Sequence, residues 1–406
     1  MKRWRKTAVL VGVNLLLTVG LVEGALRLFP TIIPANLLIH FEPKLRSKLA
    51  AGRFPTAEDT VAFVRDDGGP PFPTWKPFAE INYSFEDPGT VNTVKMDETG
   101  FCNPPDLYNQ TEQFDAIAIG DSFTWCTTVR PEDTWSAQLA EVANVSTYNL
   151  GKPAIGLYEY LQLLKQFGLE KSPKVVVMNV YEGNDLRDAL IYDEYQRFGP
   201  TDQATERKDP GFLDRYSYVW NLMQAVMASN RPQADPLIAN GAGDDENFRY
   251  RFKLDSGDLP FNLENGDLDE VVHARLLTSG QIELDVFSAA LQAFVALAEA
   301  HDFVPILAYS PSAYTAYADV VEFEQPELGE IMPEYSRQLR AYFAAQAAEL
   351  DLEFVDLTPV LQAAAPDYTT PEKLLYYQTN RHFTRYGHAV VAKALAKAVS
   401  DAVGTP

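Results

Sequence analysis

The chain has 406 residues, of which 46% are hydrophobic and 12% aromatic, enough to build a sizeable core and too many for wholesale disorder. Its 34 basic residues are outnumbered by 56 acidic ones, for a net charge of −22. That balance excludes a nucleic-acid partner from expectation, because a phosphate backbone rewards clustered cations; it suits a soluble, self-repelling surface.

Residues 1–30 differ from the rest. "MKRWRK" carries four cations, and Thr7 to Val22 then holds no charge before Glu23 and Arg27 interrupt the apolar run. A basic flank ahead of an apolar segment of nearly spanning length predicts an N-terminal transmembrane helix over residues 1–30. The competing readings are a cleaved secretory signal peptide and a buried helix. Small residues at the cleavage spacing are not clearly placed after the apolar run. With the cations held inside, the expectation is a single-pass inner-membrane protein, N-terminus cytoplasmic, whose body is periplasmic or extracellular. The membrane is thus one expected partner.

Residues 31–113 are mixed, rich in Pro and Gly ("DDGGPPFPTWKPF") and without a sustained period, which reads as a stalk and covering segment. Only two cysteines occur. Cys102 and Cys126 either pair in an oxidising compartment, closing a loop of 24 residues, or remain two free buried thiols.

A regular alternation then begins. "FDAIAIGD", "VSTYNLG", "KVVVMNVYEGND", "FVPILAYSPS" and "LEFVDLTPVL" are short apolar runs fit for buried strands. Between and after them, "EDTWSAQLAEVAN", "LYEYLQLLKQFG", "QIELDVFSAALQAFVALAEAH", "PEYSRQLRAYFAAQAAEL" and "RYGHAVVAKALAKAVSDA" have helical spacing. Continuous apolar strands alternating with helices predict an α/β domain over 114–402, with a parallel sheet covered on both faces. The stretch at about 195–280 breaks the rhythm and reads as an insertion, partly helical around "YSYVWNLMQAVMASN".

In open parallel sheets, ligands sit beyond the C-terminal strand ends. The residues there are "GDSFT", "NLGKPAIG" and "YEGND", joined by "QTNRHFT" before the last helix. Ser122 follows its strand at a Gly-Asp turn, as a nucleophile would, or it caps the next helix. Gly151 either admits a substrate close to the backbone or makes a tight turn. Asn184 either donates its amide to an oxyanion or forms a turn. His382 precedes a helix that Thr384 can cap, and is either a base or incidental. His40, His273, His301 and His388 form no metal-ligand spacing with acidic or cysteine clusters, so no metal is expected. Acyl transfer needs a nucleophile, a base and oxyanion donors, and those residue types appear here together.

In these blocks the chain resembles the SGNH (GDSL-like) hydrolases, here of a membrane-anchored bacterial type. "GDSFT" at 120–124 is similar to the nucleophile block, "NLGKPAIG" at 149–156 to the glycine block, "EGND" at 182–185 to the Gly-x-Asn-Asp block and "NRHFTRYGH" at 380–388 to the histidine block. The resemblance covers residues 114–400. It implies a three-layer, flavodoxin-like fold and ester hydrolysis or acyl transfer without a cofactor. Ser122 would be the nucleophile and His382 the base. Ser122 N–H, Gly151 N–H and the Asn184 side chain would hold the oxyanion, with Asp121 and Asp185 in support.

One block departs from the pattern. The family usually carries an aspartate two or three residues before the histidine, where this chain has Thr379 and Asn380. An asparagine carbonyl can accept from the imidazole and orient it, but cannot balance an imidazolium. The expectation is therefore a serine esterase acting by Ser122 and His382, oriented by Asn380 or rescued by another acid from the insertion, on O-acyl groups of a carbohydrate or similar polar ester at the cell envelope. A weakened family member that binds polysaccharide as an assembly scaffold is the alternative.

Overall fold

The computed structural model describes residues 2–33, 41, 45, 59–69, 71–82, 87–105, 107, 112–198, 211–229, 248–252, 259–262, 265–378 and 380–404. His40, Thr379, much of the stalk expected at 31–113 and much of the insertion expected at 195–280 lie outside the described residues. The chain divides into two compact units.

The first unit comprises residues 1–60, 82–84 and 201–239. Its helix Lys2–Leu28 carries the N-terminal apolar run. Among the described residues no helix is long and apolar enough to cross a membrane, which corrects the expected transmembrane helix. The physical reason lies in the charges at both ends. The uncharged run from Thr7 to Val22 rises about 24 Å as a helix, against about 30 Å of hydrocarbon. Glu23, which ends the run, has a structural partner: its carboxylate accepts the N–H groups of Tyr218 and Val219 at 3.0 and 2.9 Å and the Ser217 hydroxyl at 3.1 Å. Those N–H groups open helix Tyr218–Ser229 and have no partner within it, so Glu23 caps that helix.

The second unit contains a five-stranded sheet: β1 (Ala116–Gly120), β2 (Thr147–Asn149), β3 (Val175–Tyr181), β4 (Val304–Ser310) and β5 (Glu353–Asp356). Every residue of β1, β2 and β3 is buried, and in β1 and β3 the near-continuous Val, Ile, Ala and Met runs are what a sheet covered on both faces requires. The spatial order is β5-β4-β3-β1-β2, and all pairings are parallel. This is the doubly wound arrangement, with its switch point between β1 and β3.

Right-handed crossovers place the helices. The connection from β1 to β2 runs opposite to those from β2 to β3, β3 to β4 and β4 to β5. Helix Trp135–Ala143 therefore covers one face, and Leu157–Leu163, Ser288–His301 and Leu328–Glu349 the other. The last helix, Arg385–Val403, packs on Trp135–Ala143 and completes the first face. The insertion adds strands Phe248–Phe252 and Leu259–Asn262, which form a three-stranded antiparallel sheet with Val321–Phe323.

Candidate active site

The turn after β1 is built from its own backbone. The Asp121 carbonyl accepts the N–H groups of Thr124 and Trp125 at 3.1 and 3.0 Å, and Asp121 Oδ1 accepts the Phe123 N–H at 2.8 Å. Ser122 does not cap a helix. The first α-helix after β1 begins at Trp135, and its cap is Thr134, whose hydroxyl accepts the Ala137 N–H. Ser122 is partly exposed, and among the described residues its Oγ has no hydrogen-bond partner.

The neighbours of Ser122 touch the other blocks one by one. Asp121 faces the Asn184 amide, which favours its charged form. The Phe123 ring stacks on the His382 imidazole, centroids 4.9 Å apart, and on the Tyr181 ring at 3.6 Å. Thr124 and Trp125 lie against Gly151, where an added Cβ would fall 2.5 Å from the Trp125 nitrogen. Ser122, Gly151, Asn184 and His382 thus gather around one turn at the C-terminal edge of β1 and β3.

Their detailed partners differ from expectation at two points. The Gly151 N–H, expected to face an oxyanion, donates instead to Asn149 Oδ1 at 2.8 Å. Asn149 closes a local turn this way while its amide donates to the Thr124 carbonyl at 2.7 Å. The glycine is needed for close approach of two loops. Asn380, expected to accept from the imidazole, accepts instead from the His382 main-chain N–H through Oδ1 at 3.0 Å. Among the described residues neither Asn380 Nδ2 nor His382 Nδ1 has a partner. No hydrogen bond joins Ser122 Oγ to His382.

Asn184 donates to Asp188 Oδ2 at 3.0 Å, and its amide also faces Asp121. Asp185 is buried and accepts the Tyr160 hydroxyl at 2.6 Å and the Tyr181 N–H at 2.8 Å. Burial, and then the charge of Asp121, holds its carboxyl well above the usual range. Burial also raises Asp121, and the Asp188 charge adds to it. His382 moves the other way: burial pushes its imidazole down to about 4, the Arg381 charge pulls in the same direction, and the Asn380 backbone opposes them. The ring is therefore neutral at pH 7, the form that accepts a proton.

Several residues around the turn were not singled out by the sequence. Asn179 on β3 accepts the Ser310 hydroxyl at 2.7 Å and donates to Thr124 Oγ1 at 3.2 Å, fixing the floor of the turn. Arg381 is buried in the left-handed region, at φ 50°. Glu182 is buried among the hydroxyls of Tyr309, Ser312 and Thr315. Polar residues inside an otherwise apolar strand were the available signal for Asn179. Cys102 and Cys126 form a disulfide, Cα atoms 6.1 Å apart, tying the segment before β1 to the turn. Among the described residues no group of three or more His, Cys, Asp or Glu side chains has metal-binding geometry.

No family model matches the chain, and no curated protein matches it. Solved structures give distant likenesses. An acetyl xylan esterase is 16% identical over 70% of this chain and 98% of its own, with a TM-score of 0.36. A protein from Desulfitobacterium hafniense DCB-2 placed in the G-D-S-L family is 15% identical over 70% and 97%, with a TM-score of 0.36. An acetylxylan esterase from Geobacillus stearothermophilus is 15% identical over 70% and 93%, with a TM-score of 0.34.

Proposed function

We propose that the chain is a serine ester hydrolase of SGNH type, acting on O-acyl groups of a carbohydrate or similar polar ester. The observation that carries this reading is the contact made by each neighbour of Ser122: Asp121 with Asn184, Phe123 with His382, Thr124 and Trp125 with Gly151. Such a gathering at the switch point of a doubly wound sheet is where ligands bind.

Ser122 Oγ attacks the acyl carbonyl carbon, and the neutral imidazole of His382 takes the hydroxyl proton. The Ser122 N–H and the Asn184 amide, which turns from Asp121 to the substrate, hold the oxyanion that develops. The alcohol leaves with the proton from His382, and the acyl-serine is then released to water or to an acceptor hydroxyl by the same groups. The Ser122–His382 contact closes only when substrate fills the site, as is common for catalytic hydrogen bonds. The Cys102–Cys126 disulfide supports an oxidising compartment outside the cytoplasm.

The test uses the full chain. Hydrolysis of p-nitrophenyl acetate should be lost in Ser122→Ala, and a fluorophosphonate probe should modify Ser122 alone. Equal rates in the two proteins, with no labelled serine, would sink the reading. One observation favours a second reading, a polysaccharide-binding scaffold: among the described residues no acid faces the imidazole, and Arg381 beside it disfavours an imidazolium. Glycan binding by an unlabelled, inactive chain would establish that alternative.

A further inference from the structure

The loop that carries His382 is held from outside by a segment far away in sequence. Asp87, 6% exposed, accepts the Asn380 main-chain N–H through Oδ2 at 3.3 Å. Asp87 opens a turn in which its carbonyl accepts the Thr90 N–H at 3.2 Å and the Thr90 hydroxyl at 2.8 Å. The same turn reaches both sides of the site. Val91 N–H donates to the Thr128 carbonyl at 2.7 Å, and the Tyr377 hydroxyl donates to the Gly89 and Thr128 carbonyls at 3.2 and 3.3 Å. Thr128 ends the nucleophile turn, and Tyr377 begins the histidine loop.

Inside that loop, Tyr377 N–H donates to the His382 carbonyl at 2.9 Å and Arg381 N–H to the Tyr377 carbonyl at 3.1 Å. Thr128 and Arg381 both have left-handed backbones, at φ 60° and 50°. Such conformations are strained for non-glycine residues, and they persist where surrounding contacts over-determine them. Asn380 is the link between anchor and base, with its N–H on Asp87 and its Oδ1 on the His382 N–H.

We propose that Asp87 is a positioning residue for His382, taking over from the covering segment, through the Asn380 main chain, the task of an acid next to the histidine. This inference rests on the esterase reading. The Asp87 carboxylate accepts an N–H from the loop and fixes where the imidazole stands relative to Ser122. It acts on geometry and not by balancing charge on the ring.

The test compares Asp87→Asn, Asp87→Ala and Thr90→Val in the full chain. Three quantities are followed: kcat and KM for p-nitrophenyl acetate, the rate of fluorophosphonate labelling at Ser122, and Tm. A charged acceptor is about twice as strong as a neutral one, so Asp87→Asn should lower kcat by about 3- to 10-fold. Loss of the acceptor in Asp87→Ala should lower it by about 10- to 100-fold, the scale of a misplaced catalytic group. KM should stay within about twofold, labelling should slow in the same order, and Thr90→Val should lower Tm with kcat unchanged. If Asp87→Ala fails to fold, Asp87→Asn decides. The proposal is overturned if kcat of folded Asp87→Asn lies within about twofold of the unaltered chain, if the loss appears in KM, or if Thr90→Val loses kcat to the same degree. In each of those cases labelling of the unaltered chain at Ser122 leaves the esterase reading standing. Absence of that labelling removes both.

Discussion

The Phe123 ring lies against the His382 imidazole at an interplanar angle of 29°, so the residue after the candidate nucleophile covers the candidate base. This stack helps to keep water from the ring, and burial is the main reason the imidazole is pushed down to about 4. Phe123→Leu opens that face while keeping most of the volume. Its imidazole should titrate closer to the ordinary value of about 6.5. Because the protonated ring cannot act as base, the acidic limb of kcat/KM should move upward by about a pH unit or more. A pH–rate profile from 3.5 to 8 checks this, and an unmoved limb would show that Phe123 does not shield His382.

Gly151→Ala should damage the site through packing. A Cβ there would lie 2.5 Å from the Trp125 nitrogen, 2.7 Å from the Thr124 carbonyl carbon and 2.9 Å from Asn149 Oδ1. Two of these are main-chain atoms that cannot swing away, so the loop after β2 or the nucleophile turn must shift. Overpacking of this kind typically costs about 1–3 kcal/mol. The expected outcome is a lower Tm together with at least about a tenfold loss of kcat, since a shift of about 1 Å in the turn is enough for that. Thermal melts and steady-state kinetics on the purified variant measure both.

These two sites also show what the sequence makes legible. The sheet was readable because β1, β3 and β4 are nearly continuous apolar runs, and a parallel sheet buried on both faces has no other pattern. The four blocks were readable because loops after parallel strands share one edge. The hydrogen bonds were not. Nothing in "NLGKP" says that the Gly151 N–H turns back to Asn149, since that depends on loop conformation and not on residue type. Asp87 was hidden more deeply, 293 residues from Asn380 and inside a segment without periodicity. Glu23 looked like a flaw in an apolar run until its helix-capping partners were known.

The disulfide should contribute measurable stability. Cys102 and Cys126 are 24 residues apart, and closing a loop of that size in the unfolded chain is worth about 3 kcal/mol on the chain-entropy model. The segment it ties down also carries Asn103, whose side chain accepts the Asn149 N–H at 2.8 Å and donates to the Asn149 carbonyl at 3.1 Å. Reduction should therefore lower Tm by several degrees and loosen the loop bearing Gly151. Melts with and without dithiothreitol, repeated on Cys102→Ser with Cys126→Ser, test this. A Tm unchanged by reduction would remove the disulfide from the account of stability.

Asp121 makes stability depend on pH in a direction opposite to that of a salt-bridged carboxylate. It is fully buried, Oδ2 has no partner among the described residues, and burial together with the Asp188 charge pushes it up to about 7. An aspartate in the unfolded chain titrates near 3.9, so between about pH 4 and 7 the unfolded state has released a proton that the folded state keeps. The stability this carboxyl contributes is fully present below about pH 4 and is lost as pH rises to about 7. Asp121→Asn cannot lose a proton, and its Oδ1 can still accept the Phe123 N–H that Asp121 accepts at 2.8 Å. The variant should thus gain on the unaltered chain as pH rises, by on the order of 1 kcal/mol for each pH unit in that window. Part of the slope should remain, because Asp185 is raised by burial as well. Urea denaturation at pH 4.5 and 7.5 measures the difference. Parallel changes in the two proteins would mean that Asp121 is already ionised in the folded state at pH 4.5.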